Sequence, residues 1–168
     1  LAVVLVVGLV PAITPVSRAD SWATPYLDKL VGWGFMRADQ AADHNKAMTR
    51  AEFMAVINRA YGYDQVGEIP FTDVRPSDWF YEDVCIAYNA RYMAGTSETT
   101  ASPNATLTRE QAVVILGHNM LLEESSGENL NFTDARNISN WSRGLVKTAS
   151  DQYIINGYAD GSFRPKSQ

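Results

Sequence analysis

The chain has 168 residues, with 19 acidic and 14 basic side chains, a net charge of −5, two histidines and one cysteine. That length supports one modest core, and the acidic balance argues against a nucleic-acid partner, which calls for a basic stripe. A lone cysteine, Cys85, excludes an internal disulfide, and two histidines 74 residues apart, His44 and His118, build no zinc constellation, so neither metal nor cofactor is expected.

The first segment, Leu1 to Val10, is an unbroken apolar run followed by Pro11, Pro15 and then Ser17-Arg18-Ala19. It reads as part of a secretory signal, residues 1–19, with small residues at the cleavage site. The run is shorter than the about 20 apolar residues of a membrane helix, and the prolines disfavour the rival reading of a retained anchor. Cleavage after Ala19 leaves 149 residues, a net charge of −6 and no expected membrane contact.

A helix is then expected through Trp22, Tyr26, Leu27 and Leu30, with Pro25 tolerated in its first turn. Residues 35–47 read as a loop. Thr49-x-x-Glu52 is a capping box: the Thr hydroxyl accepts from a free backbone N–H while the Glu reaches back to the cap residue. Behind it Phe53, Val56, Ile57, Ala60 and Tyr61 fall at helical spacing. A polar, glycine-bearing stretch, Gly62 to Glu68, reads as a linker. Ser77 or Asp78 can cap the next helix, through Trp79, Asp83, Val84, Ala87 and Tyr88. Cys85 lies on it as a small buried hydrophobe. After a loop holding Gly95 and Pro103, Thr108-x-x-Gln111 repeats the capping box ahead of Val113, Leu116 and Met120. Each such cap contributes about 1 kcal/mol. Glu123 to Asn131 reads as a second linker, and Trp141, Leu145, Val146, Ala149 and Tyr153 as the face of a further helix. In the last loop, from Gly157 to Pro165, Asp160-Gly161 marks a tight turn and Phe163 is expected to plug the core beneath it.

These elements repeat. Phe71-Thr72-Asp73, Trp79 and Ala87 return as Phe132-Thr133-Asp134, Trp141 and Ala149, and Thr49-Arg50 returns as Thr108-Arg109. The offsets are 61 residues between Asp73 and Asp134, 62 between Trp79 and Trp141, and 59 between Arg50 and Arg109. A period of this size means one supersecondary unit used repeatedly, its apolar faces buried against its neighbours. The expected fold is mostly α, built of tandem helix-loop-helix repeats over residues 20–66, 67–127 and 128–168, the third incomplete. Trp22, Trp79 and Trp141, at one position of one helix, are expected in the core. Asp73 and Asp134 are expected to brace a turn.

Met48-Thr-Arg-Ala-Glu52, Leu107-Thr-Arg-Glu110, Phe71-Thr-Asp-Val74 with Trp79-Phe80, Phe132-Thr-Asp134 with Trp141, and the loop from Gly157 to Pro165 together resemble the S-layer homology module, a bacterial cell-surface anchoring repeat. The resemblance covers residues 20–168. It implies three modules packed as a pseudo-threefold helical bundle whose grooves bind a secondary cell-wall polysaccharide, typically with a pyruvylated amino sugar at its end. It places the ligand-contacting arginine at Arg50 and Arg109. A ketal-linked pyruvate presents a carboxylate, which a guanidinium grips with two prongs, and a helix's first turn offers exposed N–H groups to an anion. The competing reading is a solvated arginine paired with a nearby acid. Glu52 and Gln111 beside the arginines, and Asp160 and Gly161 in the loop, complete the candidate ligand-binding set, although a purely structural turn accounts equally for the last two.

No nucleophile elbow, phosphate loop or dinucleotide fingerprint occurs, so no catalytic residue is assigned and the chain is not expected to be an enzyme. The expected function is non-covalent anchoring of a secreted protein at the bacterial envelope. Three settings remain open: the anchor segment of a larger surface enzyme such as a glycoside hydrolase, the surface-layer subunit itself with a self-assembling part elsewhere, and a scaffold for cargo.

Overall fold

The computed structural model describes residues 23–43 and 45–168, so the signal-like segment, Trp22 and His44 lie outside the described residues. Among the described residues the chain forms six α-helices and one 3₁₀ turn, with a single isolated antiparallel bridge between Thr49 and Thr106. The mostly-α expectation holds.

Helix α1 spans Thr24–Gly32 with Pro25 in its first turn, and α2 is the short Ala38–Ala41. Helix α3, Arg50–Tyr61, begins at Thr49, whose hydroxyl accepts from Glu52 N while Glu52 accepts from Thr49 N, and ends on Gly62 at φ +70°. Helix α5, Arg109–Asn119, starts the same way with Thr108 and Gln111. Both capping boxes therefore form as the sequence spells them.

One helix start and one helix end differ from expectation. Helix α4 spans Tyr81–Asn89 with Phe80 as cap, because the Asp78 carboxylate accepts from Arg75 N and closes a turn instead of capping a helix. Helix α6 spans Asn140–Asp151, preceded by the 3₁₀ turn Ala135–Asn137, and leaves Tyr153 outside it, 84% exposed at φ +59°. Trp79 and Trp141 are 55% and 54% exposed rather than buried. The residue after each tryptophan enters the core in its place: Phe80 at 5% exposure, Ser142 at 0%.

The core comes in three clusters in series. Met36, Ala41 and Val56 join α1, α2 and α3. Met54, Ile57, Val84, Ala87 and Ile115 join α3, α4 and α5. Val113, Val146, Ala149 and Phe163 join α5, α6 and the last loop. Phe163 is fully buried, as expected of a plug, and so is Cys85, whose burial raises its thiol pKa. Helix α3 packs along α4 and α5 along α6, whereas α4 and α5, the two helices of one sequence repeat, are joined by their loop without close backbone approach. The packing unit is thus offset by half a repeat from the sequence unit.

The two expected linkers are fastened straps. Tyr63 stacks between Tyr61 and Tyr92 and donates its hydroxyl to Asn119 Oδ1 at 3.0 Å. Thr148 donates to Glu123 O at 2.7 Å, and Ser125 to Gly144 O at 3.2 Å.

Candidate functional site

The starts of α3 and α5 carry the two candidate arginines, and a loop from the following repeat lies against each. The loops share a backbone frame. Ala101 and Ser102 donate their N–H groups to the Asp73 carboxylate at 2.9 and 2.8 Å, and Phe163 and Arg164 donate theirs to Asp134 at 2.7 and 2.8 Å. Both aspartates brace a turn, as the sequence suggests. Thr72 N donates to Thr99 O and Thr133 N to Gly161 O, while Phe71 and Phe132 lie against Gly95 and Gly157: a side chain at Gly95 would collide with the Phe71 ring, and one at Gly157 would be crowded by Phe132.

The loops also take up the helix starts. Arg50 N and Ala51 N donate to Ala105 O and Pro103 O, and Arg109 N and Glu110 N donate to Ser167 O and Pro165 O. Expected N-terminal donors for an anion are therefore already spent on loop carbonyls and capping hydroxyls, which leaves the arginine side chains as the groups able to meet one.

Those side chains differ. Arg50 is 6% exposed, with Nε donating to Ala101 O at 2.9 Å and Nη2 to Ala94 O at 2.8 Å. It is a buried staple between α3 and the loop, not the solvent-open group the sequence suggests. Burial lowers its pKa, and the nearby Asp73 carboxylate opposes that shift. Arg109 is only partly buried. Its Nη2 donates to Asn156 O at 2.7 Å, its guanidinium carbon lies 5.0 Å from the Tyr158 ring centroid and 5.1 Å from that of Phe163, and its Nε is buried without an acceptor. No hydrogen-bond partner among the described residues meets its Nη1. Arg109, Thr108, Met48, Phe53, Tyr158 and Ser167 line a hollow of about 240 Å³ between the starts of α3 and α5.

The remaining candidates belong to the frame. Glu52 accepts from Thr49 N and pairs with Lys46 at 2.9 Å, and Gln111 accepts from Thr108 N. Asp160 accepts from Ser162 N and Oγ and from Arg164 Nη2, and these bonds hold its carboxyl far below the usual range. Gly161, at φ +76°, completes the turn. Arg164 in turn stacks over Tyr158 at 4.1 Å, so two guanidinium groups flank one phenol.

One buried residue of this region was not anticipated from the sequence. Glu110 is 2% exposed and accepts from Ser139 N and Oγ, Ser142 Oγ and Lys166 Nζ. The available signal was its substitution for Ala51 at an otherwise apolar position. Burial works to raise its pKa, but the donors outweigh it and the net shift is downward.

Such a chain is a tandem helical-repeat module, its loops laid across helix starts, with Arg109 the basic residue in a mostly apolar hollow. Residues 70–113 and 131–168 match the S-layer homology domain. The amylopullulanase of Thermoanaerobacterium thermosulfurigenes is 33% identical over 155 residues, or 88% of this chain. Exoglucanase XynX of Acetivibrio thermocellus is 30% identical over 155 residues, again 88% of the chain. The surface-layer 125 kDa protein of Lysinibacillus sphaericus is 27% identical over 143 residues, or 84%. The chain spans 8%, 14% and 12% of those proteins' lengths. These two segments belong to the S-layer homology domain family, the anchoring modules of secreted, cell-wall-associated proteins.

Proposed function

We propose that this segment fastens its parent polypeptide to the wall by binding an anionic secondary cell-wall polysaccharide, probed best by a pyruvylated sugar, with Arg109 as the carboxylate contact. The observation that carries this is the Arg109 guanidinium, partly exposed at the hollow and held over Tyr158 and Phe163 with one Nη fixed on Asn156 O. A carboxylate reaching the hollow meets a charge-assisted donor already oriented by packing, which limits the ordering that binding requires. Arg50 holds its loop, Glu52 and Gln111 fix the helix starts, and Asp160 with Gly161 sets the turn that aims Arg164.

Similarity to enzymes and to a surface-layer protein alike fits an attachment part shared by larger proteins. On this reading the parent's catalytic or assembling activity resides elsewhere in it.

Co-sedimentation of the chain with purified wall sacculi tests the proposal, with and without chemical removal of the non-peptidoglycan glycan. Binding that disappears on stripping is the expected result. Arg109→Ala is expected to weaken binding by about 1.5–3 kcal/mol, roughly tenfold or more, at unchanged helical content. Undiminished binding by that variant would remove Arg109 from the site.

A further inference from the structure

The two loops share a backbone frame but differ in what lies beneath the arginine. In both, an Nη donates to the carbonyl at equivalent positions, Ala94 and Asn156. In both, an aspartate fixes the loop N–H groups. The divergence is at Ala101 and its counterpart Phe163. Above Ala101 there is room for the Arg50 guanidinium to sink and donate Nε to the Ala101 carbonyl at 2.9 Å. Phe163 fills the corresponding space with its ring, 5.1 Å from the Arg109 guanidinium carbon, and the Arg109 Nε has no acceptor.

We infer that the residue beneath the arginine, Phe163 or Ala101, selects whether a repeat presents its guanidinium to an anionic ligand or withdraws it into the fold. The loop of residues 157–165 is then the presenting one and the loop of residues 95–103 is closed to anions. The mouths of the loops agree with this division. Tyr158 and Arg164 are replaced by Thr96 and Ser102, whose hydroxyls bond each other at 2.7 Å and so stay occupied. The division rests on reading Arg109 as the carboxylate contact, while the geometric part of it stands without a ligand.

Modification by phenylglyoxal, which condenses with accessible guanidinium groups, reads presentation directly when mapped by mass spectrometry on the full chain. Arg109 is expected to react faster than Arg50 by about tenfold or more, since Arg50 must await local opening. Equal rates would overturn the inference. Ala101→Phe is expected to expel the Arg50 guanidinium and raise its rate towards that of Arg109, and a folded variant with Arg50 still slow would also overturn it. Should that variant fail to fold, Phe163→Leu is the second one: Arg109 sinks and its rate drops, and an unchanged rate counts against the inference. A methyl glycoside bearing a pyruvate ketal, added to the native chain, is expected to protect Arg109 and to leave the rate of Arg50 unchanged. If the two rates differ but the glycoside protects neither arginine, presentation stands and the ligand reading fails.

Discussion

Glu110 occupies the place that Ala51 holds one repeat earlier, and both are buried. The difference is absorbed by their partners. Ala51 shares an apolar cluster with Phe80, whereas Glu110 meets Ser139, Ser142 and Lys166. A buried carboxylate with its donors removed is strongly unfavourable, so the position should be sensitive to the loss of its charge. Glu110→Gln is expected to destabilise the chain by about 1–3 kcal/mol at neutral pH. Because the folded pKa is depressed, the carboxylate's contribution is complete above the unfolded value, about 4.3, and is lost as the pH falls through the lower folded value. Urea titrations from neutral pH down to about pH 3 should therefore show a shallower acid loss in the variant than in the parent. Identical acid limbs would refute the assignment. The sequence names the glutamate but not its burial, since Lys166 lies 56 residues away. The tryptophans mislead for a related reason. Repetition at one helical position shows that a residue matters to the unit, and Trp79 and Trp141 do recur, but one residue of phase decides which side of the helix start faces the core.

Helix starts were legible and helix ends less so. Thr49 and Thr108 announce α3 and α5 because a capping box is written in four consecutive residues. The start of α4 was not legible, since Asp78 had two backbone partners to choose from and closes the turn to Arg75. At the far ends, α3 terminates on Gly62, which adopts φ +70° freely, but α5 is followed by Leu121 at φ +55° and 88% exposure. A branched side chain in that region is strained, by about 1–2 kcal/mol, while the backbone there closes the helix through Leu121 N to His118 O and Leu122 N to Gly117 O. Leu121→Gly should stabilise the chain by about 0.5 kcal/mol, the relief of strain exceeding the extra freedom gained by the unfolded chain. Chemical denaturation would show a raised midpoint with unchanged slope. A lowered midpoint would mean that Leu121 contributes packing that its exposure hides.

Across the whole molecule, the period near 60 residues correctly signalled a repeat array, yet the pairing of helices was not readable from it. The two main helix pairs are locked differently. Between α3 and α4, Asn58 donates to Asp83 and accepts from the Tyr92 hydroxyl, which also donates to Met54 O. Between α5 and α6 the counterpart of Asn58 is Gly117, where an added Cβ would lie 3.0 Å from Leu145 Cδ2. Exchanging partners would set an amide against a leucine, or a carboxylate against Phe80. Gly117→Asn imports one half of the wrong lock and should destabilise by about 2–4 kcal/mol despite the better helix propensity of Asn. Thermal melts would reveal a drop of several degrees, and an unshifted midpoint would show that Leu145 yields freely. The half-repeat offset of these pairs bears on how such arrays are inherited and cut. A duplication that copies one sequence repeat delivers the closing helix of one packed pair and the opening helix of another, with the complement of each lent by a neighbour, as in brickwork with staggered joints. Truncation at a repeat boundary, near Val66 or Gly127, would split a pair and strand an apolar helix. A cut inside the loop between α4 and α5 would leave both pairs whole but would part Met54 and Val84 from Ile115, so neither cut leaves the core undivided.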